Sequence, residues 1–401
     1  VIEARQFYVA PPAAGRVQQR SLIVGIAGLI LCAVGAIFRP ALFLQSYLFA
    51  YLFTLGLTLG CMAILMLQYL TGGDWGVVVR RILESAMRTL PWLAVGFLPI
   101  ALGVRALYVW ARPAQSAAEG LDYRTEYLNV PFFIARVVVY FAVWLTMAHL
   151  LDRWSREQDR GAALGWLKRL RRLSGPGLVI YAVTITFAAY DWLMSLNPEW
   201  YSTIFGLLVI AGQALSAVAF VILVAALLST RAPMARVIQP RHFHDLGKLL
   251  LAFVMVWAYL SFSQLLIVWS GNLPQEIAFY LPRMQSSWRW VGFLLIVFHF
   301  ALPFALLLSR DLKRRAGLLA ALAGLVIVMR VTDLFWLVAP EFRRQGLTVD
   351  WFDPVTVVGL GGVWLALFIR ELKTRPMLPL RDPHLADALS AGEQYSVNRR
   401  E

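Results

Sequence analysis

The chain has 401 residues, 60% of them hydrophobic and 13% aromatic but only 15% charged, and its mean hydropathy is +0.66. A soluble globular domain carries about 25% charged residues, so this composition excludes one. The formal charge of +14 would suit a nucleic-acid groove, but the basic residues fall between apolar stretches and form no single patch.

Apolar stretches of about 20 residues, the length that crosses a bilayer as helix, recur along the whole chain. They predict ten spans at 21–38, 43–69, 89–110, 131–151, 176–196, 202–229, 245–269, 286–308, 317–338 and 353–371. The fold expected is all-α and polytopic. A segment 1–20 precedes the transmembrane domain 21–371, and a tail 372–401 follows it.

The elements between the spans differ in charge. Arg5, Arg16 and Arg20 precede span 1, which carries Cys32, and span 2 carries Cys61. Neither cysteine belongs to a Cys-x-x-Cys motif, so no disulfide, iron–sulfur cluster or covalent haem is predicted. Arg80, Arg81 and Arg88 fall in the connection to span 3, and Glu119, Asp122 and Glu126 make the next connection acidic. Span 4 opens at Tyr127-Leu128 and carries Arg136 and His149. The stretch from Asp152 to Ser174 mixes seven basic residues with Leu164, Trp166, Leu167 and Leu170, the pattern of a short interfacial helix. Span 5 carries Tyr181, Thr184 and Asp191, and span 6 carries Gln213. Span 7 opens with Asp245 and Lys248 and continues to Ser261, Ser263 and Gln264; span 8 carries Arg289 and His299. After Arg310, Lys313, Arg314 and Arg315, span 9 carries Arg330 and Asp333. Beyond span 10, Pro376, Pro379 and Pro383 predict an extended strap on a neighbouring surface.

Most of the basic residues lie in the termini and in the even-to-odd connections, which are on one side of the membrane. The positive-inside rule then places both termini in the cytoplasm. The basic balance reflects topology and anionic lipid, with no nucleic-acid partner. Trp92, Trp110, Trp192, Trp200, Trp288 and Trp290 read as an interfacial belt.

Two features repeat. Asp191 and Asp333 each precede a Pro-Glu-aromatic exit at the same spacing, Pro198-Glu199-Trp200 and Pro340-Glu341-Phe342. Tyr127 to Arg136 and Tyr280 to Arg289 also share a spacing. A shift of four helices preserves orientation, so two similar four-helix bundles are expected, spans 2–5 (about 43–196) and 6–9 (about 202–338), with helices 1 and 10 peripheral.

A buried charge in hydrocarbon is costly unless paired, which makes an intramembrane acid a functional candidate. Alternation of direction places Arg136, Asp191, Arg289, Arg330, Asp333, Ser261 and Gln264 in the outer half. Arg330 and Asp333, three apart, share a helix face, and Arg136 is the counter-charge expected for Asp191. In the inner half, His149, His299, Asp245, Lys248, Tyr181, Thr184 and Gln213 could form hydrogen-bonded proton steps. Interhelical packing is the competing reading, above all for His149, Asp245 and Lys248 near the surface. No metal or catalytic residue is predicted.

Four segments carry a family resemblance: Tyr127-Leu-Asn-Val-Pro-Phe-Phe-Ile-Ala-Arg136, Tyr190-Asp-Trp-Leu-Met-Ser-Leu-Asn-Pro-Glu-Trp-Tyr-Ser-Thr203, His242-Phe-His-Asp-Leu-Gly-Lys248 and Gln285-Ser-Ser-Trp-Arg-Trp290. They resemble the NrfD-like membrane subunits of bacterial alternative complex III, a quinol:electron-acceptor oxidoreductase, and the F subunit more than its C paralogue. The resemblance implies a respiratory or photosynthetic subunit of the bacterial inner membrane, with no redox centre of its own, contributing a proton half-channel and part of a quinone or menaquinone site. It implies as partners the C subunit, an iron–sulfur subunit and cytochrome c subunits, which would hold the iron–sulfur clusters and haem. It also assigns the functional positions to Arg136, Asp191, Arg330 and Asp333. A stand-alone proton-coupled transporter and a structural scaffold are the alternative readings.

Overall fold

The computed structural model describes residues 10–112, 126–161, 163–231, 234–379 and 382. The acidic connection at Glu119 and Asp122, the tail beyond Asp382 and Arg5 lie outside the described residues. Among those described, ten helices are long and apolar enough to cross a membrane: α1 Ala13–Phe38, α2 Pro40–Thr71, α3 Trp75–Leu102, α4 Val130–Arg160, α5 Gly165–Leu196, α6 Phe205–Ser229, α7 Pro240–Gly271, α8 Trp288–Leu308, α9 Ala316–Phe342 and α10 Phe352–Leu372. The chain is an all-α polytopic membrane protein. Lys373 Nζ donates to Gln18 Oε1 at 3.1 Å, so the chain enters α1 and leaves α10 at one end, here the basic end. Asp191 and Asp333 lie toward the other.

α2 and α6 form the centre and are almost wholly buried. They touch directly, α2 also packs on α5 and α9, and α6 packs on the same two helices. α3 and α4 complete the first group against α2 and α5, as α7 and α8 complete the second against α6 and α9. Small residues set the central contact, as in other membrane bundles. A Cβ at Gly60 of α2 would collide with the Gln213 carbonyl of α6.

α10 is more embedded than a peripheral helix. It packs on α2, its Trp364 Nε1 donates to Thr58 Oγ1 at 2.8 Å, and Phe220 of α6 meets the Trp364 and Phe368 rings. α1 is peripheral, and it crosses α10 through glycines. A Cβ at Gly25 would stand 2.5 Å from Val363 N, and one at Gly362 2.8 Å from Ser21 O.

Two basic connections, one expected as a loop and one as a short interfacial helix, are instead continuations of the spanning helices. α3 is continuous with a helix that starts at Asp74, so Arg80 and Arg81 lie inside it. α4 runs to Arg160 and the next helix starts at Ala163, which leaves no separate interfacial helix between them. Ion pairs within and between these helix ends satisfy charges that would otherwise favour a solvated loop.

Candidate functional site

Asp191 is wholly buried at the end of α5. Arg136 of α4 meets it bidentately, Nε to Oδ2 at 2.8 Å and a second guanidinium N–H to Oδ1 at 2.9 Å. Tyr140, one turn further along α4, donates its hydroxyl to Oδ2 at 2.7 Å. Both carboxylate oxygens are therefore held by three donors from one helix, the fork geometry that makes arginine–carboxylate pairs strong. Asn129 caps α4 by accepting from Phe132 N, and Arg136 reaches back to the Tyr127 carbonyl at 3.0 Å. The guanidinium also covers the Tyr127 and Phe132 rings. Burial, and then the Asp191 carboxylate, push the Tyr127 phenol up to about 12, so it stays a donor at neutral pH. The pairing expected from the sequence is present.

Asp333 is held differently. Arg330, one turn earlier on α9, pairs with Oδ2, and Trp257 Nε1 of α7 donates to the same oxygen at 3.2 Å. Among the described residues no donor reaches Oδ1. A Cβ at Gly212 of α6 would overlap the Arg330 guanidinium, which lies directly on that backbone. His299 is fully buried on a π-helical stretch of α8, Ile296–Ala301, edge-on to Trp257 with ring centroids 4.3 Å apart. Among the described residues neither of its nitrogens has a hydrogen-bond partner. Such π-turns are frequent at functional sites because the extra residue re-aims a side chain.

Between the two groups, α2, α5, α6 and α9 enclose a cavity of about 30 Å³ lined by Gly56, Ala189, Trp192, Gln213, Arg330 and Leu334, among others. That is room for one or two waters. Gln213 Oε1 accepts from Tyr181 at 2.7 Å. A quinone ring does not fit this cavity, so no quinone chemistry is assigned to it.

Several residues expected in the site lie elsewhere. His149 is exposed on α4, outside any polar chain. Asp245 and Lys248 form a largely exposed pair with each other at 3.4 Å. Ser261 is half-buried without a hydrogen bond among the described residues. Gln264 is buried, but it serves a helix contact, Nε2 to Tyr280 Oη at 3.2 Å. Thr184 accepts from Trp144 Nε1 at 2.8 Å. The inner steps therefore do not form a continuous chain.

The Tyr-to-Arg repeat is also only partial. Arg289 is exposed beside Trp290, and the buried arginine of that region is Arg283, bonded to Glu341 at 2.8 Å and to the Leu337 and Trp336 carbonyls. A separate turn, Leu281–Gln285, ends at Ser286 before α8 begins, so spacing along the sequence does not project along one helix. Burial pushes the Arg283 guanidinium down, while Glu341 opposes the shift. Of the six tryptophans expected in a belt, Trp92 and Trp290 are exposed, but Trp110, Trp192, Trp200 and Trp288 are core.

The basic end holds a buried network that sequence reading treated as loop charge. Glu84 of α3 takes Arg80 at 2.9 Å, Arg81 at 2.6 Å and the Ser155 hydroxyl at 2.7 Å. Arg81 also forks onto Asp159 of α4, and Arg80 reaches Gln158 and Asp382. Arg375 pairs with Asp152, and Met377 and Leu378 are buried beside it. The described part of the expected strap, residues up to 379 together with Asp382, therefore lies against α3 and α4 of its own chain, and Pro383 lies outside the described residues. The spacings Arg80/Arg81 to Glu84 and Asp152 to Ser155 and Asp159 were the available signals.

Cys32 and Cys61 are free and buried, and the described residues contain no cluster of His, Cys, Asp and Glu suited to a metal ion. What the two acid centres can do chemically is hold charge and exchange protons. Compared with protein-family models and with curated proteins, the chain matches none.

Proposed function

We propose that this chain is an integral subunit of a bacterial quinol:electron-acceptor oxidoreductase of the alternative complex III type, and that its own contribution is proton handling. The observation that carries this reading is the pair of buried acid centres on α5 and α9, helices in corresponding places of the two groups. The motifs around Arg136, Asp191 and Trp290 supply the resemblance to NrfD-like subunits. In this reading the basic end faces the cytoplasm, as the positive-inside rule requires.

The two centres have different roles. Asp191 has both oxygens bonded by Arg136 and Tyr140, which makes it a structural anchor between α4 and α5. Asp333 offers Oδ1 for proton exchange, and His299 and Trp257 lie beside it. The small cavity next to Arg330 extends this polar region toward Gln213 and Tyr181.

Affinity purification of the tagged chain from its native membrane tests the assignment. Iron–sulfur and c-type haem subunits are expected in stoichiometric amount. Recovery of the chain alone, active in proton-coupled solute uptake, would replace the assignment with a transporter.

A further inference from the structure

The ion-pair network at the basic end does not absorb Lys313. This residue lies in the short helix Arg310–Arg314 between α8 and α9, which packs on α7. Its side chain is 7% exposed. The stem lies over Gly247 of α7, where a Cβ would stand 2.7 Å from Lys313 Cγ. Among the described residues Lys313 makes neither an ion pair nor a hydrogen bond.

Its surroundings add positive charge. His244, one turn before Gly247, feels Lys248, Lys313 and Arg314, and among the described residues its buried Nδ1 has no hydrogen-bond partner. Asp245 is the acid in that field, and it already faces Lys248. The Lys313 stem is buried while its ammonium reaches the edge of the crevice, a snorkelling arrangement in which an anion completes the remaining hydrogen bonds of the cluster.

We propose that this crevice binds the phosphate group of an anionic membrane lipid. The depth suits it: α7 begins at Pro240 and α9 at Ala316, so Lys313 sits where both spans leave the hydrocarbon, at headgroup level. The charge suits it as well, because a phosphodiester monoanion balances Lys313 and presents oxygens to His244 and Arg314. Gly247 is the positioning residue, since any larger residue would push the lysine stem out of the crevice. The site lies away from both acid centres and does not depend on the function proposed above.

The test uses the full chain in its native membrane assembly, purified in mild detergent and depleted of lipid. Thermal unfolding and native mass spectrometry are followed while phosphatidylglycerol, phosphatidylcholine or inorganic phosphate is added. Phosphatidylglycerol is expected to raise the unfolding midpoint and to remain bound, in wild type and in an Arg315→Gln control. Lys313→Gln should weaken its binding about tenfold, the effect of one charge-assisted hydrogen bond, and Lys313→Arg should restore most of it. Gly247→Ala, which keeps every charge, should also weaken retention. Equal retention in wild type and Lys313→Gln would overturn the proposal. So would an equal effect of inorganic phosphate, which would make the site one for free anions. Failure of wild type to bind any lipid, with Lys313→Gln shedding a neighbouring subunit, would assign the crevice to a partner's carboxylate.

Discussion

Two aspartates in similar sequence settings have different hydrogen-bond economies. Asp191 accepts from three donors on α4, so Asp191→Asn leaves the Arg136 guanidinium buried without its counter-charge. Loss of one partner of a buried pair is worth about 3 kcal/mol. The variant should show that loss in detergent unfolding, and restoring neutrality with Arg136→Gln should recover part of it. At the second centre, Gly212→Ala would normally help a helix by about 1 kcal/mol. Here the new Cβ collides with Arg330, so the expected result is net destabilisation and a displaced Arg330–Asp333 pair, read by unfolding midpoint and by structure. Both pairings were legible in sequence, one from the spacing of Arg330 and Asp333 and one from the absence of another counter-charge for Asp191. Trp257 and Tyr140 were not, because indole and phenol donors look like ordinary apolar positions until a neighbouring helix brings an acid to them. Arg283 was missed in favour of Arg289 because the turn at Ser286 resets the helical phase.

Helix existence and number follow from apolar length, and all ten spans were readable on that basis. Their ends were not. Charges at the start of α3 and the end of α4 looked like connections, whereas the helices continue and join there, Arg81 to Asp159 and Arg80 to Gln158. The place of α10 was equally hidden, since its contact with α6 depends on Trp364 and Phe368 facing Phe220. The glycine crossing of α1 and α10 makes a clear prediction. Gly362→Leu should separate α1 from α10 and open the surroundings of Cys32, which is fully buried. Labelling of Cys32 by a membrane-permeant maleimide should then rise about tenfold, as for a local opening made about 1.4 kcal/mol easier. Cys61, buried in α2 at the centre, should stay unlabelled and serves as the internal control.

At the scale of the whole molecule, the two helix groups share an architecture but divide the chemistry. The first holds both oxygens of Asp191 in hydrogen bonds. Among the described residues, the second keeps an acid with a free oxygen at Asp333, next to a histidine in a π-turn whose nitrogens have no partner. Composition and repeat made the shared architecture visible, but only packing distinguishes an anchored acid from an exchangeable one. The central claim is that Asp333 takes part in proton transfer during quinol turnover. Protons released per quinol oxidised, measured in proteoliposomes carrying the intact assembly with Asp333→Asn, test it most directly. The account predicts an assembled complex whose proton yield falls below that of wild type, while unchanged yield at normal turnover would contradict it.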